Sequence, residues 1–255
     1  MSEHPVLETR DLTVRFGGHV AVNGVSAAFA RGTLTAIVGP NGAGKTTYFN
    51  LISGQFAATR GQVLLNGEDV TRLGVATRTR RGIGRAFQLT NLFPDLTVRE
   101  NVRLVIQAKS SRGFDLFSMA DSHTELIEKA DHVLAQVRLD AVAGQTVATL
   151  SHGDQRKLEV ALLIALDPDV MMFDEPTAGM SVDEVPVILD LITEMKADPG
   201  RTILLVEHKM DVIRSLADRI MVLHNGQLVA DGDPAEVIAS PIVQQAYLGV
   251  EAEDA

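Results

Sequence analysis

Gly39-Pro40-Asn41-Gly42-Ala43-Gly44-Lys45-Thr46-Thr47 decides how this chain is read. It fits Gly, four residues, Gly-Lys-[Ser/Thr], the pattern of a phosphate-binding loop. The context supports the match. Leu34-Thr35-Ala36-Ile37-Val38 before it reads as a buried strand, and Thr47-Tyr48-Phe49-Asn50-Leu51-Ile52 opens a helix. Glycines let successive backbone N–H groups curl toward a polyphosphate without Cβ clashes. The helix N-terminus behind the loop adds partial positive charge. Lys45 is expected to reach the β- and γ-phosphates and the Thr46 hydroxyl to bind Mg²⁺.

Working outward, strand-like and helix-like stretches alternate, which predicts an α/β fold with a mostly parallel sheet. The N-terminal part differs. Val6–Arg10, Leu12–Phe16 and Ala21–Ala27 read as three short strands of an antiparallel β layer. Asn66-Gly67 and Asn225-Gly226 are hairpin turn signals. Thr97-Val98-Arg99-Glu100, Ser122-His123-Thr124-Glu125 and Ser181-Val182-Asp183-Glu184 have the form of capping boxes. The stretch from about 90 to 149 is helical in pattern, with a loop or insertion over Lys109 to Ala120. The expected organisation is a nucleotide-binding core from 1–88 and 150–255, with a helical lobe, 89–149, inserted into it. Val170-Met171-Met172-Phe173-Asp174-Glu175 reads as a buried strand ending in two carboxylates. Behind a phosphate loop, Asp174 is placed to hold Mg²⁺ and Glu175 to act as general base on the attacking water.

Bulk properties narrow the class. The 255 residues contain no cysteine, which excludes disulfides and thiol chemistry. A net charge of −10 argues against a generally nucleic-acid-binding surface. Arg78-Thr79-Arg80-Arg81 is a local basic cluster, read either as a patch or as a solvated helix end. No apolar run reaches bilayer-spanning length, and the N-terminus has no signal-peptide pattern.

Leu150-Ser151-His152-Gly153-Asp154-Gln155 resembles the Leu-Ser-Gly-Gly-Gln signature of ABC transporter ATPases. Phe16, Gln88 and His208 stand, in family order, where that family has its adenine-stacking aromatic, lobe-boundary glutamine and switch histidine. The resemblance covers essentially the whole chain. It implies that Phe16 stacks on adenine and that Gly39, Pro40, Asn41, Gly42, Ala43, Gly44, Lys45, Thr46 and Thr47 cradle ATP. Thr46, Asp174 and Gln88 would hold Mg²⁺, Glu175 would activate water, and His208 would contact the γ-phosphate. Ser151 and Gly153 would act in trans on the nucleotide of a partner subunit.

A narrower likeness rests on Phe87–Pro94, Leu96–Asn101, His152, Ala178-Gly179-Met180 and the ending Val243–Gly249. These are similar to the larger ATPase subunit of branched-chain amino acid importers. That implies a peripheral subunit on the cytoplasmic face of the inner membrane. Its partners would be permease subunits, a sister ATPase or a second copy in a nucleotide-sandwich dimer, and indirectly an extracytoplasmic solute-binding protein. Importers of urea or aromatic acids, a lipopolysaccharide-type export ATPase and a soluble non-transport ATPase of the family are the alternatives. The chain departs from the family at His152, Asp154, Ser181 and Lys209. Asp154 is expected to be a helix N-terminal charge and Ser181 a cap.

Overall fold

The computed structural model describes residues 4–86, 92–109, 121–241 and 243, with the side chains of 121–123 outside the description. The chain forms two compact units. One comprises Met1–Ile83, Asp169–Glu175 and Thr193–Ala255, the other Gly84–Pro168 and Pro176–Ile192.

In the first unit, β1 (Leu7–Phe16) and β2 (His19–Phe29) form a long antiparallel hairpin. β3 (Leu34–Val38) leads into the phosphate loop and α1 (Lys45–Ser53). β4 (Arg60–Leu65) and β5 (Glu68–Asp69) join β1 and β2 in a four-stranded antiparallel sheet of order β2-β1-β4-β5. α2 (Val75–Arg80) follows, and β6 (Ile83–Ala86) starts at the division between the units. β1 is one strand where the sequence suggested two. Asp11 looks like a turn but sits at φ 49 in a bulge between Thr9 and Leu12, which shifts the register without ending the strand. Both Asn-Gly signals are realised, with φ 49 and 80 at Asn66-Gly67 and 49 and 76 at Asn225-Gly226.

The chain returns to this unit with β7 (Val170–Asp174), then β8 (Thr202–Val206), α7 (Met210–Leu216), β9 (Arg219–His224), β10 (Gln227–Gly232) and α8 (Pro234–Ala239). These strands take the order β10-β9-β3-β8-β7. β9, β3, β8 and β7 run parallel and β10 antiparallel to β9. Every residue of β3, β7 and β8 is buried, as expected for a parallel sheet covered on both faces. One face packs with α1 and the antiparallel layer through Phe29, Tyr48, Phe49, Ile52 and Val63. The other buries Ala36, Val38, Ile213 and Val222.

The second unit is helical. α3 (Val98–Lys109), α4 (Asp121–Gln136) and α5 (His152–Leu166) pack on one another, burying Val98, Val102, Leu134 and Leu158. α6 (Val185–Lys196) follows Glu175 by a turn-rich connection. The Thr97 cap forms in part. Its hydroxyl accepts the Glu100 N–H at 3.2 Å, while the Glu100 carboxylate binds Arg103. Asn101, buried, donates to the Phe93 and Thr97 carbonyls and accepts the Phe93 N–H, fixing the entry to α3. Among the described residues no helix is long and apolar enough to cross a membrane.

Candidate nucleotide site

The C-terminal ends of three adjacent parallel strands converge. β3 opens into the phosphate loop, β8 ends just before His208, and β7 delivers Asp174 and Glu175. The register places Ile37 and Asp174 both opposite Val206, so the three ends lie level. Ligands of α/β sheets bind at such carboxyl ends.

The loop's shape depends on glycine at two tightly packed points. A Cβ on Gly39, at φ 151, would sit inside the Leu223 carbonyl oxygen and 3.0 Å from the Ala43 Cβ. A Cβ on Gly44, at φ 97, would lie 2.5 Å from the Ala21 carbonyl oxygen. β2 and β9 therefore press against the loop from outside. Gly44 is the N-cap of α1, and the helix's first turn holds no acidic residue, so its positive end is left for an anion. Lys45 folds back over the loop. Its Nζ donates to the Gly39 carbonyl at 2.7 Å and the Pro40 carbonyl at 3.1 Å. Burial pushes its pKa below the ordinary lysine value, with Glu175 and Asp174 opposing that shift.

Asp174 is 7% exposed, inside the strand end. Glu175 adopts the left-handed conformation at φ 51, its N–H donating to the Val206 carbonyl at 2.9 Å. A non-glycine residue held there is strained, and such strain gathers at functional sites. Glu175 Oε1 lies 3.7 Å from His208 Nδ1, and both side chains are partly exposed. The preceding Glu207 is fully buried, its carboxylate accepting the His208 N–H at 3.2 Å. This anchor for His208 was not evident in the sequence, where Glu207 reads as an ordinary polar residue after a strand. Thr46 and Asp174 offer hard oxygen donors at one end of one sheet, a pair that fits Mg²⁺.

Phe16 ends β1 at the hairpin tip and is 47% exposed. Gln88, with Phe87 and Leu89 to Asn91, lies outside the described residues, as do most of Lys109 to Ala120 and the ending beyond Val243. In the second unit Ser151 caps α5, its hydroxyl accepting the Asp154 N–H at 3.1 Å. Asp154 is a first-turn acid paired with Lys157 at 2.8 Å. The Ser181 N–H and hydroxyl both donate to Glu184 Oε2, which lowers the Glu184 pKa. The same carboxyl abuts Gly153, where an added Cβ would lie 2.6 Å from Glu184 Cδ. A side chain at Gly153 would therefore have to displace the Glu184 carboxyl from Ser181. Arg78 is no surface patch. It is 2% exposed and caps the C-terminus of α1, a role hidden in its run of basic neighbours.

The family model for ABC transporters matches residues 22–178. The chain belongs to the ABC transporter ATP-binding family. It is thus an ATP-binding, ATP-hydrolysing cassette. A second model, for branched-chain amino acid ATP-binding cassette transporters, matches residues 227–253. The chain is 37% identical to the high-affinity branched-chain amino acid transport ATP-binding protein BraF of Pseudomonas aeruginosa, over 96% of this chain and 98% of the relative. It is 35% identical to LivG of Escherichia coli K12, a protein of the same description, over 96% and 98%. Among solved structures, the ADP conformation of an ATP-binding cassette of an ABC transporter superposes with a TM-score of 0.80 at 29% identity, covering 96% of this chain and 98% of that one. A cassette dimer in a post-hydrolysis state with ADP and phosphate gives a TM-score of 0.76 at 26% identity, covering 89% and 98%.

Proposed function

We propose that this cassette powers the import of branched-chain amino acids, hydrolysing ATP with Mg²⁺ at the cytoplasmic face of the membrane. The observation that carries the chemistry is the convergence of Lys45, Asp174, Glu175 and His208 at the level ends of β3, β7 and β8. The match of residues 227–253 to the branched-chain transporter model, with the relatives BraF and LivG, supports the solute class.

In this reading the loop from Gly39 to Thr47 holds the phosphates. Lys45 exchanges its two carbonyl acceptors for β- and γ-phosphate oxygens. Thr46 and Asp174 would hold Mg²⁺, which neutralises charge on the transferred phosphoryl group. Glu175 accepts the proton of the attacking water, and His208 holds the γ-phosphate beside it. Phe16 stacks on the adenine. Ser151 and Gly153 face the nucleotide of the opposed subunit in a sandwich dimer, formed with a sister ATPase or a second copy. Hydrolysis removes the charge that bridges the subunits, so the dimer reopens and moves its permeases.

The test is co-purification of the tagged full chain from its native cell in mild detergent. Two multi-span permease subunits and a sister ATPase are expected. The linked binding protein should then bind leucine, isoleucine or valine in a titration. A permease without a solute-binding protein would move the reading to export. Ribosomal or DNA-repair partners alone would overturn it.

A further inference from the structure

The described residues leave few large apolar side chains exposed, and two of them touch. Phe16, 47% exposed, and Phe56, 37% exposed, meet edge to face, with ring centroids 5.3 Å apart and planes at 75°. They are 40 positions apart and come from different elements, so their meeting is a product of the fold. An edge-to-face pair fixes the plane of each ring relative to the other.

Both rings are tied to the phosphate-binding helix. The chain leaves α1 at Gly54, and the Phe56 N–H donates to the Asn50 carbonyl at 3.1 Å, inside the last turn of that helix. Just beyond, the Thr59 N–H donates to the Thr13 carbonyl at 2.8 Å, and the Thr59 hydroxyl accepts the Arg15 N–H at 3.1 Å. The segment carrying Phe56 is therefore sewn to the end of β1 that carries Phe16. At its other end, α1 begins with Lys45 of the phosphate loop. One rigid path runs from the phosphate grip, through α1 and Phe56, to the ring at the hairpin tip.

We propose that Phe56 is a positioning residue for adenine recognition. Its ring holds Phe16 in the plane on which the base stacks and, through Asn50, fixes that plane relative to the phosphate loop. The proposal rests on Phe16 being the adenine platform. Without Phe56, the Phe16 side chain at the Gly17-Gly18 hairpin tip is free to rotate. The base then has to order the ring as it binds, which weakens base recognition and leaves the phosphate grip unaltered.

Equilibrium titrations of the full chain with ATP and with inorganic tripolyphosphate, both with Mg²⁺, separate the two. In Phe56→Ala, ATP affinity is expected to fall roughly two- to tenfold, the range of one aromatic pair, while tripolyphosphate affinity is unchanged. Phe56→Tyr should restore ATP affinity. An unchanged or tighter ATP affinity in Phe56→Ala would overturn the proposal, the latter because Phe56 would then compete with the base for Phe16. Parallel losses for ATP and tripolyphosphate would overturn it too, as a purely structural effect. Phe16→Ala is run alongside. If it lowers ATP affinity selectively while Phe56→Ala does not, Phe16 is the platform and only the proposal for Phe56 falls. If Phe16→Ala has no selective effect, the stacking role itself fails and takes the proposal with it.

Discussion

Replacing Arg78 by methionine tests whether the phosphate-binding helix depends on a buried cap at its far end. The last four carbonyls of a helix lack intrahelical donors. In α1, Asn50 is served by the N–H groups of Gly54, Gln55 and Phe56. The Leu51 and Ile52 carbonyls are served by Arg78 Nη1, each at 2.6 Å. Arg78 also donates to the Thr71 carbonyl at 2.7 Å and the Leu73 carbonyl at 2.9 Å. Burial lowers its pKa to about 10, still charged at neutral pH. The positive charge at the helix C-terminus further offsets the cost of burying it.

Arg78→Met would strip four carbonyls of their donor, two of them fully buried. A buried acceptor left unsatisfied costs about 1–3 kcal/mol. Water can reach the two outer carbonyls and removal of a buried charge returns part of the loss, so about 3–5 kcal/mol is expected in total. At about 2–4 °C per kcal/mol for a unit of this size, the thermal transition of the nucleotide-free chain should fall by roughly 6–20 °C. Circular dichroism at fixed protein concentration reads it. Arg78→Lys should recover only part, because one ammonium cannot span four acceptors in two directions. A shift under about 2 °C for Arg78→Met would show instead that solvent satisfies these carbonyls and that the helix does not depend on the buried cap.

Three further outcomes follow from the geometry. Gly39→Ala drives a methyl into the Leu223 carbonyl, so ATP binding should be lost while the far-ultraviolet spectrum stays near wild type; normal binding would show that the loop yields without cost. Lys45 has a lowered pKa in the free chain, and bound phosphate must raise it again, so affinity is complete below the lowered value and falls as pH rises through it. ATP binding at alkaline pH approaching 10.5 should therefore take up protons, seen by calorimetry in buffers of different ionisation enthalpy; no uptake would contradict this. Gly153→Ala pushes the Glu184 carboxyl off Ser181, so Glu184→Ala alone should reproduce the loss of ATP-dependent dimerisation that Gly153→Ala shows in size-exclusion chromatography; full dimerisation in Glu184→Ala beside a loss in Gly153→Ala would assign the glycine's role to the partner's nucleotide alone.

The parts of the fold written in local chemistry were legible. The phosphate loop lies between a mostly apolar five-residue strand, buried throughout, and a helix, and the structure places it there. The two Asn-Gly pairs turn hairpins because few other residue pairs tolerate two positive φ angles in succession. What was hidden depends on partners far along the chain. Asp11 reads as a strand end. The bulge is held by Ser26, whose hydroxyl accepts the Asp11 N–H, and by Arg60, which pairs with the Asp11 carboxylate. Arg78 reads as solvated because its acceptors belong to a helix 26 or 27 residues earlier. Within the candidate site, the level of Asp174 with the loop strand could be expected once a parallel sheet was assumed. The buried Glu207 beneath His208 and the Phe56 ring against Phe16 could not, since neither has a local signal.

Glu175, held in the left-handed region with His208 beside it, is the proposed base that takes the proton from the water that attacks ATP. Its most direct test is Glu175→Gln, compared with wild type for ATP affinity and for phosphate release by the assembled transporter. The side chain keeps its shape and loses only its basicity. Unchanged ATP binding is expected, with phosphate release slowed by about 10²- to 10⁴-fold. Turnover near the wild-type rate, with binding intact, would contradict that role and leave the base to be sought elsewhere.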